Sequence, residues 1–334
     1  MDTGTSSTDK EAMDFSGKTI LLTGGTGSFG QAFTRRVIAE FPTATIRVYS
    51  RDELKQSEMR DRFGDSQLRF FIGDIRNRSR LQRATQGADI VVHAAAMKQV
   101  PACEYNPFEA VQTNILGTQH VVDCAIDAGV QKVLALSTDK AVNPVNLYGA
   151  TKLCEEKIVV QGNAYAAGFD TRLACVRYGN VVGSRGSVVP VFARQRVEQG
   201  YLTITDERMT RFWLTLDEAV DLVSYALEHM EGGEVFVPRI PSMRVTDLAR
   251  AIAPDTPTET IGIRPGEKLH EVLITADEAR HTIRVGDVYV VLPEQVSWAK
   301  GSDWQGTPLP EGFEYSSGDN DWWLEAAELE AMVG

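Results

Sequence analysis

An acid, an amine and a phenol stand close together in this chain. Ser137-Thr138-Asp139-Lys140 is followed, eight residues after Lys140, by Tyr148-Gly-Ala-Thr-Lys152. A Tyr and a Lys four residues apart share one helix face, so the Lys152 ammonium can lower the Tyr148 phenol pKa by charge proximity. A tyrosine tuned in that way can take the proton of an alcohol while hydride leaves the same carbon. Asp139 and Lys140 add a possible acid and a possible base. Tyr-x-x-x-Lys is also common on bland amphipathic helices, so its meaning depends on the elements that position it.

The first of those elements lies near the N-terminus. Lys18 to Thr23 reads as a buried parallel strand, Gly24-Gly25-Thr26-Gly27-Ser28-Phe29-Gly30 as a tight turn, and Gln31 to Glu40 as a helix. Glycines at 24, 27 and 30 let the backbone approach a pyrophosphate, whose charge meets free amides at the helix N-terminus. The next strand, Thr45 to Ser50, ends without the acidic residue expected to bind a ribose 2′-hydroxyl. Arg51 could instead receive a 2′-phosphate, which favours NADP over NAD. Asp52 competes for that place, and Arg51 could also be a solvated surface charge.

Strand patterns recur at 68–73, 89–93, 132–138 and 171–178, with helices near 79–87, 108–128 and 147–163. Alternation of this kind predicts an α/β fold with a doubly wound, Rossmann-type parallel sheet. Ligands in such sheets sit beyond the carboxyl ends of the strands. Asp74, Ala94-Ala-Ala96 and Thr138-Asp139-Lys140 all fall there, so three strand ends point at one cleft. After Gly183 the segments shorten and Gly and Pro punctuate them, with strands at 233–238 and 289–292 and a helix over 321–332. The predicted division is a disordered extension over 1–14, a cofactor domain over 15–183 to which about 212–240 returns, and a smaller, mostly C-terminal substrate domain over 184–334.

A chain of 334 residues with 43% hydrophobic content can build such a core. Its net charge of −12 argues against nucleic acid and anionic membranes as partners, so local Arg and Lys must hold any phosphorylated ligand. Cysteines 103, 124, 154 and 175 lack the paired spacing of a metal site or disulfide framework, and no metal is expected. No apolar run nears the ~20 residues that span a bilayer, and the polar first fourteen residues do not read as a secretion signal. The expectation is a soluble, cytoplasmic protein.

With these elements in place, the chain resembles the extended short-chain dehydrogenase/reductases that act on nucleotide sugars. Tyr49 to Glu58, Ser137-Thr-Asp-Lys-Ala, Arg177 to Gly186, Arg208-Met-Thr-Arg-Phe-Trp213 and Gly262-Ile-Arg-Pro-Gly-Glu-Lys268 are similar to the inverting UDP-N-acetylglucosamine 4,6-dehydratases of pseudaminic acid biosynthesis. The likeness runs from about residue 16 to the C-terminus. It implies that Tyr148, helped by Lys152, takes the carbon 4 hydroxyl proton as hydride passes to NADP. The ketone acidifies the carbon 5 hydrogen, a base removes it, an acid protonates the departing carbon 6 hydroxyl, and hydride returns to carbon 6. Asp139 is the candidate acid and Lys140 the candidate base, with Thr138 on the carbon 4 oxygen.

Dehydratases that retain carbon 5 configuration carry Glu after the Asp, and this chain has Lys140. A lysine base must be neutral, so its pKa has to fall well below ~10.4; the oxidised nicotinamide, Lys152 and Lys98 are the candidate cations. A salt bridge to Asp139 or a cofactor phosphate contact is the other role open to Lys140. Asp139 could cap its strand and Thr138 merely close it.

Candidate cofactor contacts are Gly24, Thr26, Gly27, Ser28, Phe29 and Gly30 in the turn, and Ser50, Arg51, Asp52, Glu53, Leu54 and Lys55 after the second strand. Asp74, Ile75, Ala94, Lys98 and Val181 join Tyr148 and Lys152. Candidate substrate contacts are Lys98, Asn180, Arg185, Arg211, Arg264 and Glu267, since guanidinium forks match phosphate geometry; each arginine could instead form a surface ion pair. His93 is expected to pack rather than react, and Trp322-Trp323 to serve a core or an interface. The resemblance also implies a homo-oligomer. The competing functions are a retaining dehydratase, a nucleotide-sugar 4-epimerase and, in another class, a non-catalytic NADP-binding regulator.

Overall fold

The computed structural model describes residues 13–184, 188–294 and 303–333. Apolar runs rich in β-branched residues become strands and the amphipathic segments between them become helices. The first half alternates through β1 (Thr19–Thr23), α1 (Ser28–Glu40), β2 (Thr45–Ser50), α2 (Glu53–Phe63), β3 (Leu68–Ile72), α3 (Arg78–Thr85) and β4 (Ile90–His93). Then come α4 (Val100–Tyr105), α5 (Pro107–Ala110), α6 (Gly117–Asp127), β5 (Lys132–Leu136), α7 (Leu147–Tyr165) and β6 (Arg172–Val176).

The second half is more broken: β7 (Asn180–Val181), α8 (Val188–Glu198), β8 (Leu202–Ile204), β9 (Thr210–Leu214), α9 (Leu216–His229), β10 (Val235–Pro238), β11 (Ser242–Arg244) and α10 (Val245–Ile252). It ends with β12 (Thr258–Thr260), β13 (Val272–Ile274), α11 (Ala276–Ala279), β14 (Thr282–Val285), β15 (Val288–Val291), β16 (Thr307–Pro308), β17 (Tyr315–Ser316) and α12 (Ala326–Val333).

The main sheet runs in the order β16-β14-β15-β10-β6-β5-β4-β1-β2-β3. From β10 to β3 every pairing is parallel, whereas β15, β14 and β16 are antiparallel. Ile20, Leu21, Leu22, Val91, Val92, Leu134 and Leu173 are fully buried, as expected of parallel strands covered by helices on both faces. The chain reverses direction across the sheet between β1 and β4, which opens a cleft at their carboxyl ends.

Three features differ from the sequence reading. The single helix expected over 108–128 is divided, because Val111–Leu116 forms a π-helical turn between α5 and α6. Residues of β14, β15 and β16 extend the main sheet, although the reading by sequence returned only about 212–240 to it. A second core of Phe192, Leu202, Ile204, Trp213, Met243, Leu248, Leu324 and Leu329 lies outside that sheet. Of the expected N-terminal extension, residues 1–12 lie outside the described residues; Met13 packs on the core beside Phe15, whose ring meets Phe33 and Phe41 edge-on.

Candidate active site

At the β1 end of the cleft the glycine turn is fixed by backbone crowding. Gly24 has φ +67°, and a Cβ there would sit 2.8 Å from the backbone of Ala94 and Ala95. A Cβ on Gly30 would lie 2.3 Å from the Gly25 carbonyl oxygen, so α1 could not pack on the turn. Gly27 precedes α1 and supplies no side-chain cap, and a helix N-terminus of this kind is suited to an anion. The turn and the strand end beside it therefore form a cradle into which a pyrophosphate fits. Thr26 and Phe29 belong to the same turn.

The strand ends are locked to one another through His93. The Thr118 hydroxyl donates to the Asn114 carbonyl, so His93 Nε2–H donates to Thr118 Oγ1, and Nδ1 accepts from Thr23 Oγ1 at 2.7 Å. Burial, with a smaller push from the Lys152 charge, takes the His93 pKa down to about 3. His93 is thus a neutral packing residue, in the place the sequence reading gave it.

Beyond β2, Asp52 caps α2 by accepting from the Lys55 amide and pairs with Lys55 Nζ at 2.8 Å. Those roles compete with a ribose contact. Arg51 is 64% exposed, with Asp74 3.9 Å away, and Asp74 is held by Arg76 at 2.7 Å. Although burial opposes it, the Arg76 contacts keep the Asp74 carboxyl below its usual range. The Ser50 hydroxyl accepts from Gln56, Glu53 opens α2, Leu54 points to solvent, and Ile75 is buried. Lys98 lies exposed on the loop after β4.

The end of β5 carries the reactive cluster. Thr138 is extended and turns the chain into a short 3-10 segment, Asp139–Ala141. Asp139 is wholly buried: Oδ1 accepts from Thr138 Oγ1 at 2.8 Å and from Lys140 Nζ at 3.0 Å, while Oδ2 has no partner among the described residues. Burial pulls the Lys140 ammonium down, but Asp139 and Glu271 outweigh it and its pKa is raised. This corrects the expectation of a depressed lysine. Of the cations named for that task, neither Lys98 nor Lys152 is the neighbour that lowers it; Arg211 is.

Tyr148 differs in a similar way. Burial lifts its pKa first, and the charges of Glu155 and Asp139 lift it further, while the neighbouring Thr138 hydroxyl lowers it. Lys152 is engaged elsewhere: its Nζ donates to the Leu136 carbonyl at 2.7 Å and to Glu155 Oε1 at 2.5 Å. Asn114, on the π-helical turn, binds both backbone groups of Met97 and the Thr151 hydroxyl, which ties the wall of the cleft to α7.

A cationic corner faces the cluster. Glu271, 4% exposed, lies 3.6 Å from Lys140, 3.7 Å from Lys268 and 3.9 Å from Arg211. Arg211 also donates to the carbonyls of Thr210 and Leu269, and Lys268 reaches the Val142 carbonyl. Arg264 and Glu267 form an ion pair at 3.9 Å on the surface of the same loop, which Asn146 anchors by donating to the Gly266 carbonyl. Asn180 and Val181 form β7 nearby, with Asn180 Oδ1 buried and without a partner among the described residues. Arg185 lies outside the described residues.

Sequence reasoning passed over Asn114, Glu155, Lys268 and Glu271. For Glu271 a signal existed, since it follows Lys268 by three residues just beyond the quoted Gly262–Lys268 motif. For Asn114 and Glu155 there was none, because their roles depend on a π turn and on burial. Trp322 is 41% exposed, and Trp323 donates to the Asn320 carbonyl and stacks under Arg244. A concavity of about 730 Å³ lies away from this cluster on the edge strand β3. Its Arg47 and Arg69 already bind backbone carbonyls.

The strand order, with the glycine turn and the Tyr148/Lys152 helix on opposite sides of the switch point, is that of the extended short-chain dehydrogenase/reductases, and the fold is theirs. Within that class the chain belongs to the polysaccharide biosynthesis protein family, whose pattern matches residues 20–293. It is 49% identical over 324 residues to the UDP-N-acetylglucosamine 4,6-dehydratase (inverting) of Campylobacter jejuni, covering 94% of this chain and 97% of that one. It is also 43% identical over 282 residues to a Rickettsia felis protein named UDP-glucose 4-epimerase, covering 82% and 83%. Among solved structures, Pen from Bacillus thuringiensis matches with a TM-score of 0.89 at 38% identity, over 96% of this chain and 98% of that one.

Proposed function

We propose that the chain is an NADP-dependent UDP-N-acetylglucosamine 4,6-dehydratase that inverts carbon 5. Its product would be UDP-2-acetamido-2,6-dideoxy-L-arabino-4-hexulose, formed on the way to pseudaminic acid. The observation that carries the reading is the Asp139–Lys140 hydrogen bond at 3.0 Å beside Tyr148, with Asp139 Oδ2 buried and without a partner among the described residues. An elimination needs one acid and one base at adjacent carbons, and these two residues supply them.

The cradle of Gly24, Thr26, Gly27, Ser28, Phe29 and Gly30 would hold the pyrophosphate, with Arg51 on the 2′-phosphate. When bound, the nicotinamide supplies reversible hydride transfer at carbons 4 and 6. Tyr148 takes the carbon 4 hydroxyl proton, and Thr138, whose hydroxyl is freed from Asp139 once that carboxyl is protonated, steadies that oxygen. Lys140 takes the carbon 5 proton, Asp139 gives its proton to the carbon 6 hydroxyl as water leaves, and carbon 5 then takes a solvent-derived proton on the opposite face as carbon 6 is reduced. Arg211 and Lys268 are placed to meet the substrate's diphosphate.

The resting site holds Lys140 charged and Asp139 as its counter-ion. The working state needs Lys140 neutral and Asp139 protonated. These two states contain the same number of protons and differ by one transfer along the 3.0 Å hydrogen bond. Substrate entry drives that shift by removing water, because desolvation favours the uncharged pair.

The 43% identity to a protein named UDP-glucose 4-epimerase favours a second reading, simple inversion at carbon 4. An epimerase has no use for an elimination acid. Incubating the NADP-loaded protein with UDP-N-acetylglucosamine in heavy water and reading the product by NMR decides between them. The dehydratase gives a 6-deoxy-4-keto sugar with deuterium at an inverted carbon 5; a carbon 4 epimer or unchanged substrate overturns it. For the cofactor, Arg51→Ala is expected to weaken NADP about tenfold and leave NAD unchanged, as one charge-assisted contact of about 1.4 kcal/mol would require. Equal losses for both cofactors would rule out a 2′-phosphate contact.

A further inference from the structure

The Tyr148/Lys152 pair has a third member that its i, i+4 spacing does not reveal. Glu155 lies seven residues after Tyr148 and three after Lys152 on α7, a spacing that puts all three on one face. It is 1% exposed. One carboxylate oxygen accepts from Lys152 at 2.5 Å, and the other has no partner among the described residues. A bare buried carboxylate oxygen is costly, and neither the fold nor the elimination chemistry requires one at this position.

We propose that Glu155 is a positioning residue for the redox step: its carboxylate holds the Lys152 ammonium as a counter-ion and so withholds from Tyr148 the positive charge that a proton-accepting tyrosine needs. Neutralising Glu155 then releases that charge to the phenol. The groups around it allow this. On its own helix stand Lys152, Tyr148 and Glu156, and the last is neutralised by Arg177 at 2.7 Å. From β6 the buried Cys175 faces it, and from β4 the neutral His93 faces Lys152. Asp139 faces Tyr148 from the β5 end. Burial, against the pull of Lys152, lifts the Glu155 carboxyl to about 7, so its charge changes within the physiological range.

The inference rests on reading Tyr148 and Lys152 as the redox pair, and its test needs no turnover. Tyrosinate formation is followed by ultraviolet difference absorbance against pH, with the signal of Tyr148 isolated by subtracting Tyr148→Phe from each background. In Glu155→Gln the Tyr148 midpoint is expected to fall by roughly one unit or more, the scale set by removing one nearby like charge. Glu155→Ser serves as a second background and is expected to move it the same way. The acidic limb of kcat should shift down in parallel while KM holds. An unmoved Tyr148 midpoint in either folded variant overturns the proposal and leaves Glu155 a structural residue; a midpoint that moves in a protein that does not turn over would instead count against the dehydratase reading.

Discussion

At the scale of single residues, acid and base can be separated even though they share a hydrogen bond. Asp139→Asn keeps the shape of the buried side chain but cannot protonate the leaving hydroxyl. Lys140→Ala removes the group that takes the carbon 5 proton. In heavy water Asp139→Asn is therefore expected to go on exchanging the carbon 5 hydrogen while product formation falls about 10²-fold or more, the usual worth of a general acid. Lys140→Ala should lose both. Equal loss of exchange and product in the two variants would mean that Lys140 only anchors Asp139. Glu271 allows a second prediction, because its charge helps raise the Lys140 pKa. Glu271→Gln should move the acidic limb of the exchange rate to lower pH, since less of Lys140 then needs an alkaline solution to become neutral. A limb that stays in place would show that Asp139 alone holds the Lys140 proton.

At the scale of elements, the strands, helices and glycine turn were legible because each follows from a local rule. The strand readings at 45–50, 68–73, 89–93 and 132–138 fall within a residue or two of β2, β3, β4 and β5, and α7 extends the predicted 147–163 by two residues. The π turn at Val111–Leu116 was not legible, since one extra residue per turn leaves the apolar pattern of a helix almost unchanged. It is nonetheless what aims Asn114 at Met97 and Thr151. The antiparallel β14–β15 hairpin was missed in part for a different reason: its pairing to β10 is a long-range event that no short window contains. The glycine turn can be tested against a matched control. Gly24 and Gly64 both have positive φ, +67° and +75°, but a Cβ meets backbone only at Gly24. Gly64→Ala is expected to cost ~1–3 kcal/mol, the backbone penalty of its positive φ and extended ψ alone, with cofactor affinity intact. Gly24→Ala should cost more and weaken cofactor binding, read by thermal melting and by titration. Matching losses in both would remove the crowding argument.

At the scale of the whole molecule, buried charge joins the main sheet to the segments that close the cleft. Arg177, 2% exposed at the end of β6, pairs with Glu156 on α7 and Glu278 on α11 and donates to the Leu273 carbonyl. Among the described residues no helix is long and apolar enough to cross a membrane. Two carboxyls, the half-buried Glu278 and the buried Glu155, pull stability in opposite directions with pH. Burial opposes ionisation of Glu278, but Arg177 outweighs it and the pKa is lowered. Its contribution is present above the unfolded value of 4.5 and is lost as the pH falls through the lower folded one. Glu155 is raised from 4.5 to about 7. Its contribution is whole below about 4.5 and is lost as the pH rises through 7, by an amount on the order of 3 kcal/mol at ~1.4 kcal/mol per unit. Urea unfolding of wild type and Glu155→Gln across pH 5 to 8 isolates the second effect. The variant should gain on the wild type steadily as pH rises, because glutamine has no proton to lose, and a gap that stays constant over that interval would mean that the Glu155 carboxyl ionises as easily in the folded chain as in the unfolded one.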